Sequence, residues 1–110
     1  MAIYLHFRGL ITSGRLGAGE RLPTIRQTAR DLAVAQGTAA KAYRMLEREG
    51  LVVTGRGAGT RVAAGAARLP AATARRVHEL IEHAREHGLE LDDLLDAVRA
   101  GWDGPDPAPA

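Results

Sequence analysis

Cysteine is absent from this chain of 110 residues, so neither a disulfide framework nor a thiolate metal site can form within it. No apolar run approaches the ~20 residues of a membrane-spanning helix, and the N-terminus lacks the charged-then-apolar layout of a signal peptide. From these absences we expect a cytoplasmic protein with no membrane partner.

Catalytic constellations are also missing. No nucleophile has a neighbouring base, and no pair of carboxylates is placed for acid–base chemistry, so we expect neither an enzyme nor a cofactor. His83 and His87 lie four apart near Glu79 and Glu86, but no third ligand has the right spacing, so we expect solvated polar residues and no metal. The glycines over 55–59 are not a phosphate-binding loop, because neither a Lys-Ser/Thr pair nor a helix follows them.

Positive charge is concentrated in the first part of the chain. Residues 1–65 carry ten Lys or Arg and four Asp or Glu, whereas residues 66–110 carry five and nine. The balances are therefore +6 and −4, which sum to the net charge of +2. This asymmetry predicts that the first part binds a polyanion and that the second part has another role.

Two short helices and a Gly-tipped β-hairpin are predicted between residues 21 and 62. Thr24 and Gln27 have the spacing of a capping box, so one helix should begin directly after Thr24. The next is expected from about Gln36 or Thr38 to Glu49, and β-branched residues flank the glycine-rich tip of a hairpin over 52–62.

A further helix is predicted over 3–12, followed by a glycine-rich connector over 13–19. The resulting order of elements is that of a winged helix-turn-helix, which we assign to residues 1–64. The expected fold class is mainly α with a small β-hairpin, continued by a two-helix C-terminal dimerisation segment.

In a helix-turn-helix the second helix reads bases in the major groove from its N-terminal residues. Gln36 can pair with adenine, and Thr38 can meet a phosphate or a thymine methyl group. Arg26, on the preceding helix, has the reach for guanine, and Arg56 at the hairpin tip suits a minor groove. The predicted partner is double-stranded DNA, and the predicted DNA-binding residues are Thr24, Arg26, Gln36, Gly37, Thr38, Lys41, Arg44, Arg56 and Gly57.

The composition changes after residue 64, and a linker is expected over 65–70. Two amphipathic helices follow within 71–102, and the Pro-rich tail over 103–110 is expected to be disordered. A hairpin of two such helices cannot bury both apolar stripes and keep a core of its own, so they need a partner. The residues predicted to contact that partner are Val77, Ile81, Leu91, Leu94, Leu95, Val98 and Trp102.

Over about 13–62 the chain resembles the GntR family of bacterial transcription regulators. The resemblance lies in SGRLGAGERLPTIRQTARDLAV, in T-x-x-K-A-Y-R-M-L-E-R-E-G-L-V and in the closing G-T-R-V. The KAYRxLE form followed by two helices is similar to the YtrA-type subgroup. The resemblance implies a short homodimer that binds a palindromic operator and usually represses. Family contacts to DNA carry over to Thr24, Arg26, Thr38 and Gly57.

Several positions depart from the family pattern. Ala35 replaces a capping Ser or Asn, and Gln36 stands at an Arg or Pro position. Ala33 replaces the usual turn glycine and should be strained, and Thr28 replaces a core leucine. The first helix is also shorter than is usual in the family, which leaves open a truncated start.

Two other functions stay open beside the repressor. A winged-helix module can bind protein instead of DNA. Such modules do not need a basic face, so the positive charge of residues 1–65 argues against this alternative. The chain can also be a fragment of a regulator that has lost a larger effector domain. A small-molecule effector stays open as well, since no pocket-forming domain is evident.

Overall fold

The computed structural model describes residues 2–55 and 57–104. The described elements are, in order, α1 (Ala2–Thr12), α2 (Ile25–Asp31), α3 (Gln36–Arg48), β1 (Val52–Gly55), β2 (Gly59–Val62), α4 (Ala71–Glu86) and α5 (Leu91–Asp103). The predicted fold class, mainly α with one small antiparallel hairpin, is confirmed. Every helix in the described part of the chain is too short or too polar to cross a lipid bilayer. The chain divides into two units, Met1–Ala74 and Arg75–Ala110.

The start of α2 is fixed by the predicted capping box. The Gln27 amide donates to Thr24 Oγ1 at 3.0 Å, and the Thr24 amide donates to Gln27 Oε1 at 2.9 Å. Two amide donors that a helix N-terminus would otherwise leave unpaired are thereby satisfied. The start of α3 differs, because Ala35 at its N-cap offers no side-chain acceptor.

The ends of α2, α3 and α4 share one turn geometry. Each helix is followed by a residue in the left-handed region: Ala33 (φ 55°), Gly50 (φ 78°) and Gly88 (φ 65°) respectively. After α2, the Val34 N–H donates to the Ala29 carbonyl at 2.9 Å, which closes a Schellman motif. Glycine adopts this conformation without a Cβ clash, whereas alanine is strained there. The strained turn predicted at Ala33 is therefore present.

The core of the first unit lies between α1, α3 and the hairpin. On α3 the four residues predicted to face inward are all buried: Ala39, Ala42, Tyr43 and Leu46. The remaining buried apolar residues of this core are Ile3, Phe7, Ile11, Leu22, Ala29, Leu51, Val52, Val62 and Ala66. The Phe7 and Tyr43 rings meet edge to face, with centroids 5.7 Å apart.

The segment that precedes α2 pairs with the free edge of β2, as a third strand would. β1 and β2 pair in register with Val52 opposite Val62. On the other edge of β2, the Leu22 N–H donates to the Thr60 carbonyl at 2.8 Å, and the Val62 N–H donates to the Glu20 carbonyl at 2.9 Å. These bonds connect the hairpin directly to the segment that leads into the α2 cap.

The structure differs from the linker predicted over 65–70. Ala66 is buried, and the Arg68 and Leu69 amides donate to the Thr12 carbonyl at 2.7 and 3.1 Å. Composition alone does not reveal such contacts with a distant segment. Residues 66–69 thus pack as part of the first unit.

The second unit contains α5 and most of α4. Within the described residues 75–104, Ala84 is the only buried one. The α5 helix extends to Asp103, the first residue of the tail predicted to be disordered over 103–110. Residues 105–110 of that tail lie outside the described residues.

Candidate nucleic-acid interface

One side of α3 is polar and accessible along the whole helix. The buried residues at 39, 42, 43 and 46 hold the opposite side against the core, so the remaining positions face outward. The predicted base-reading and phosphate-contacting residues of this helix are all exposed, namely Gln36, Gly37, Thr38, Lys41 and Arg44. Sequence periodicity therefore assigned the correct face of the helix.

The first turn of α3 has amides available to an outside acceptor. Ala35 supplies no cap, and its carbonyl accepts from the Thr38 N–H at 3.1 Å. The amides of Gln36 and Gly37 precede the first turn of hydrogen bonds, so a phosphate oxygen is a suitable partner for them. The lack of a side-chain cap weakens an isolated helix. A bound anion can supply the acceptor that the Ala35 side chain does not.

The first turn of α2 presents two further predicted residues. Thr24 and Arg26 are both exposed. The capping box uses Thr24 Oγ1 as an acceptor, and the hydroxyl hydrogen remains free to donate to a phosphate. Arg26 lies directly before Gln27, so the capping box also fixes the backbone from which the guanidinium extends.

The hairpin tip is accessible and built on glycine. Gly57 is exposed and has φ 70°, a conformation that a bulkier residue would adopt only with strain. Below the tip, the Thr54 and Thr60 hydroxyls lie 3.2 Å apart across the two strands. Arg56, predicted to enter the minor groove, lies outside the described residues.

Among the described residues, Arg26, Lys41 and Arg44 form no ion pair with a carboxylate. Two ion pairs occur among residues 2–55 and 57–104, Arg8 with Glu49 at 3.3 Å and His78 with Glu82 at 2.8 Å. Neither pair includes Arg26, Lys41 or Arg44. Unpaired exposed cations are what a polyanion ligand requires.

The histidines of α4 do not converge on a metal site. The His83 and His87 rings stack with centroids 4.2 Å apart, and His87 Nδ1 lies 2.8 Å from the His83 carbonyl oxygen. Within the described residues, no group of three or more His, Asp or Glu side chains is placed to hold a metal ion.

The apolar stripes of α4 and α5 are largely uncovered. The predicted dimerisation residues have exposed fractions of 42% at Val77, 37% at Ile81, 66% at Leu91, 39% at Leu95, 52% at Val98 and 85% at Trp102, and Leu94 is half-buried. Sequence reasoning missed Leu80 and Leu89, exposed by 42% and 48%. Leu80 follows Val77 by three residues, so helical spacing could have found it.

Comparison with known proteins identifies the family. The sequence-family model described as bacterial regulatory proteins, gntR family, matches residues 1–62, which are more than half of the chain. The chain belongs to the GntR family. Its function is therefore that of a DNA-binding transcriptional regulator, and the winged helix described above is the GntR DNA-binding domain.

Individual relatives extend this similarity to the C-terminal helices. The HTH-type transcriptional repressor YtrA of Bacillus subtilis is 29% identical over 102 residues, which cover 88% of this chain and 78% of that protein. YtrA from Sulfolobus acidocaldarius, a GntR-family transcription factor, is 26% identical with a TM-score of 0.54, covering 89% of this chain and 82% of that one. A transcriptional antiterminator from Listeria monocytogenes EGD-e is 26% identical with a TM-score of 0.58, covering 99% and 87%. The chain thus resembles YtrA-like regulators along most of its length.

Proposed function

We propose that this GntR regulator is a homodimeric repressor that reads a palindromic operator with one α3 helix per half-site. The observation that carries the proposal is the exposed, unpaired polar edge at the start of α3, opposite a fully buried face. Repression is inferred from the similarity to the B. subtilis transcriptional repressor YtrA.

Within each half-site, α3 supplies the base contacts. The Gln36 amide side chain pairs with adenine, and Thr38 meets a phosphate or a thymine methyl group. Lys41 and Arg44 lie further along the same helix, where the DNA backbone passes, and contribute sequence-independent attraction.

The flanking elements add contacts on either side of α3. Arg26 reaches a guanine edge with its planar, bidentate fork, and Thr24 donates its free hydroxyl hydrogen to a phosphate. Gly57 and Arg56 bring the wing to the minor groove, where positive charge is favoured. Arg56 is included on its place in the sequence alone.

Dimerisation uses the uncovered stripes of α4 and α5. Exposed apolar residues recur along both helices, and a contiguous apolar surface of this kind is typical of an interface. A two-fold dimer would place the two α3 helices about 34 Å apart, one turn of DNA. A regulator of chromosomal operators acts in the cytoplasm at the nucleoid, and we assign it no cofactor.

The proposal is tested by selecting duplexes from a random-sequence library with the purified full chain. We expect two inverted half-sites whose centres are separated by about 10 base pairs or a multiple of it. Enrichment of a single unrepeated site, or of no sequence at all, would contradict the homodimer on a palindrome. Retention of unrelated proteins with no duplex bound would favour the protein-binding module instead.

A further inference from the structure

Arg21 and Arg61 lie side by side on the hairpin. They form an antiparallel bridge, flanked by the hydrogen bonds that join Leu22 to Thr60 and Val62 to Glu20. This is a non-hydrogen-bonded pair, in which the two facing side chains point to the same side of the sheet.

That side of the hairpin faces solvent. Arg61 pairs in register with Val53, which is 56% exposed, whereas the next pair, Val52 and Val62, is buried on the opposite side. The residues on this solvent-facing side of the wing are Arg21, Val53, Gly59 and Arg61. Like charges directly opposite each other destabilise a strand pair, so two adjacent arginines here call for an explanation beyond folding.

The two arginines are used differently. Arg61 donates from its guanidinium to the Gly19 carbonyl at 3.0 Å, which braces the segment before α2 against β2. Among the described residues the Arg21 guanidinium has neither a hydrogen-bond acceptor nor a carboxylate within ion-pair distance. Its five donors therefore remain available to a ligand.

The Arg21 guanidinium lies against Gly59, whose φ of 69° is itself a conformation that favours glycine. A β-carbon added to Gly59 would lie 2.7 Å from Arg21 Nε and 2.9 Å from its Nη2. Because glycine stands there, the guanidinium can lie across the strand, two residues from Gly57 at the wing tip. The guanidinium is thus carried to the part of the wing assigned to DNA.

An open cleft continues from Arg21 to the start of α2. It has a volume of about 640 Å³ and is lined by Arg21, Leu22, Pro23, Thr24, Gln27 and Asp31. One accessible surface therefore joins Arg21 to Thr24, which is assigned a phosphate contact.

We infer that Arg21 binds a phosphate of the operator backbone beside the wing, from a position in which its guanidinium lies against Gly59. The inference rests on the proposed DNA-binding function and adds a contact that lies outside the recognition helix. A guanidinium that contacts only phosphate contributes affinity and salt dependence without base preference.

The first test is Arg21→Ala, measured by fluorescence anisotropy on the selected operator and on an unrelated duplex at several salt concentrations. We expect a three- to tenfold loss on both duplexes, and a slope of log K against log salt that is smaller by about 0.9 for each chain bound. Arg8→Ala is the matched control, because it also removes one arginine charge. Arg8 pairs with Glu49 after the C-terminal end of α3, far along the helix from Gln36. Arg8→Ala should leave the slope unchanged.

The second test is a double-mutant cycle with Gly59→Ala. Gly59→Ala strains a left-handed position in both backgrounds, and that contribution cancels in the cycle. If the guanidinium binds from its position against Gly59, Gly59→Ala weakens binding more in the wild-type background than in the Arg21→Ala background. Equal effects in both backgrounds overturn this position of the guanidinium. If the Arg21→Ala protein binds as tightly as the wild type and with the same salt slope, the phosphate contact alone is overturned. If the wild-type protein binds no duplex, the proposed function is overturned too.

Discussion

The Thr28 Oγ1 and Tyr43 hydroxyl oxygens lie 2.7 Å apart in the interior of the first unit. The Tyr43 hydroxyl also donates to the Pro23 carbonyl at 2.6 Å. A phenol has one hydrogen, so the Thr28 hydroxyl donates to the Tyr43 oxygen. This chain of bonds joins the middle of α3, the middle of α2 and the residue before the α2 cap. It connects the two helices that are proposed to contact DNA.

Removing the Tyr43 hydroxyl should cost more than removing the Thr28 hydroxyl. Tyr43→Phe keeps the ring but leaves the buried Thr28 hydroxyl unpaired, so we expect a loss of about 1–3 kcal/mol in the free energy of unfolding. Thr28→Val leaves Tyr43 bonded to Pro23 and should cost about 1 kcal/mol or less. Urea denaturation measures both. A Tyr43→Phe/Thr28→Val protein less stable than Tyr43→Phe alone would contradict the network.

The same phenol predicts a loss of stability in alkali. Burial raises the pKa of Tyr43 above its ordinary value of 10.0, and the hydrogen bond from Thr28 opposes part of that rise. The folded state therefore holds the phenol proton more tightly than the unfolded chain does. The resulting stability is fully present below about pH 10 and is lost as the pH rises through the folded pKa. Denaturation of the wild type and Tyr43→Phe from pH 8 to 11 should show a steeper decline for the wild type. Parallel curves would contradict this.

Ala33→Gly should stabilise the domain. Ala33 occupies the left-handed position after α2 that glycine occupies after α3 and α4, and the left-handed conformation costs a non-glycine residue roughly 1–2 kcal/mol. Glycine also loses more entropy on folding, so we expect a net gain of up to about 1 kcal/mol by thermal or urea denaturation. Ala18→Gly, at an exposed position outside the left-handed region, is the control and should bring no such gain. Destabilisation by Ala33→Gly alone would show that the turn is unstrained.

Arg26→Ala should loosen the reading of one operator position. If Arg26 forms a bidentate pair with guanine, its loss costs about 1–3 kcal/mol on the selected operator and much less on a duplex changed at that base pair. Arg26→Lys keeps the charge but lacks the planar fork, so it should lose the same discrimination while keeping the salt dependence. Equal losses on both duplexes would reassign Arg26 to the DNA backbone.

Leu95→Glu should weaken the homodimer. Leu95 lies mid-way along the α5 stripe and is 39% exposed in the isolated chain. Burying a leucine side chain contributes about 1.5–3 kcal/mol, so the dimer dissociation constant should rise roughly 10- to 100-fold or more in sedimentation equilibrium. Ala97→Glu adds the same charge two residues along the helix, on the opposite side from Leu95, and should leave the constant nearly unchanged. Equal effects would place the interface elsewhere.

Local sequence signals predicted most of the fold. The Thr24–Gln27 capping box, the glycine after α3 and the spacing of Ala39, Ala42, Tyr43 and Leu46 each act within one helical turn, and the structure has all of them. Contacts between distant segments were not predictable in this way. The segment before α2 pairs with β2, and this pairing places Arg21 on the wing. No local sequence pattern encodes the register of that pairing. The burial of Ala66 likewise accompanies hydrogen bonds from the segment after β2 to the distant end of α1.

For the predicted site, the sequence indicated which side of α3 is accessible, and contact of these residues with DNA stays a prediction. The exposed edge of α3 follows from its period of 3.6 residues, so the residues predicted on it are accessible. Thr28 was singled out for replacing a core leucine, but its role is visible only with Tyr43 in place.

Operator spacing provides the most direct test of a homodimer that reads two half-sites. Anisotropy titrations would compare the selected palindrome with one carrying about five extra base pairs at its centre, which rotates one half-site by half a turn. A dimer cannot then engage both half-sites, so we predict an affinity loss of roughly a hundredfold or more, down to that of a single half-site. Equal affinity for both duplexes would mean that the half-sites are bound independently, and would contradict the account.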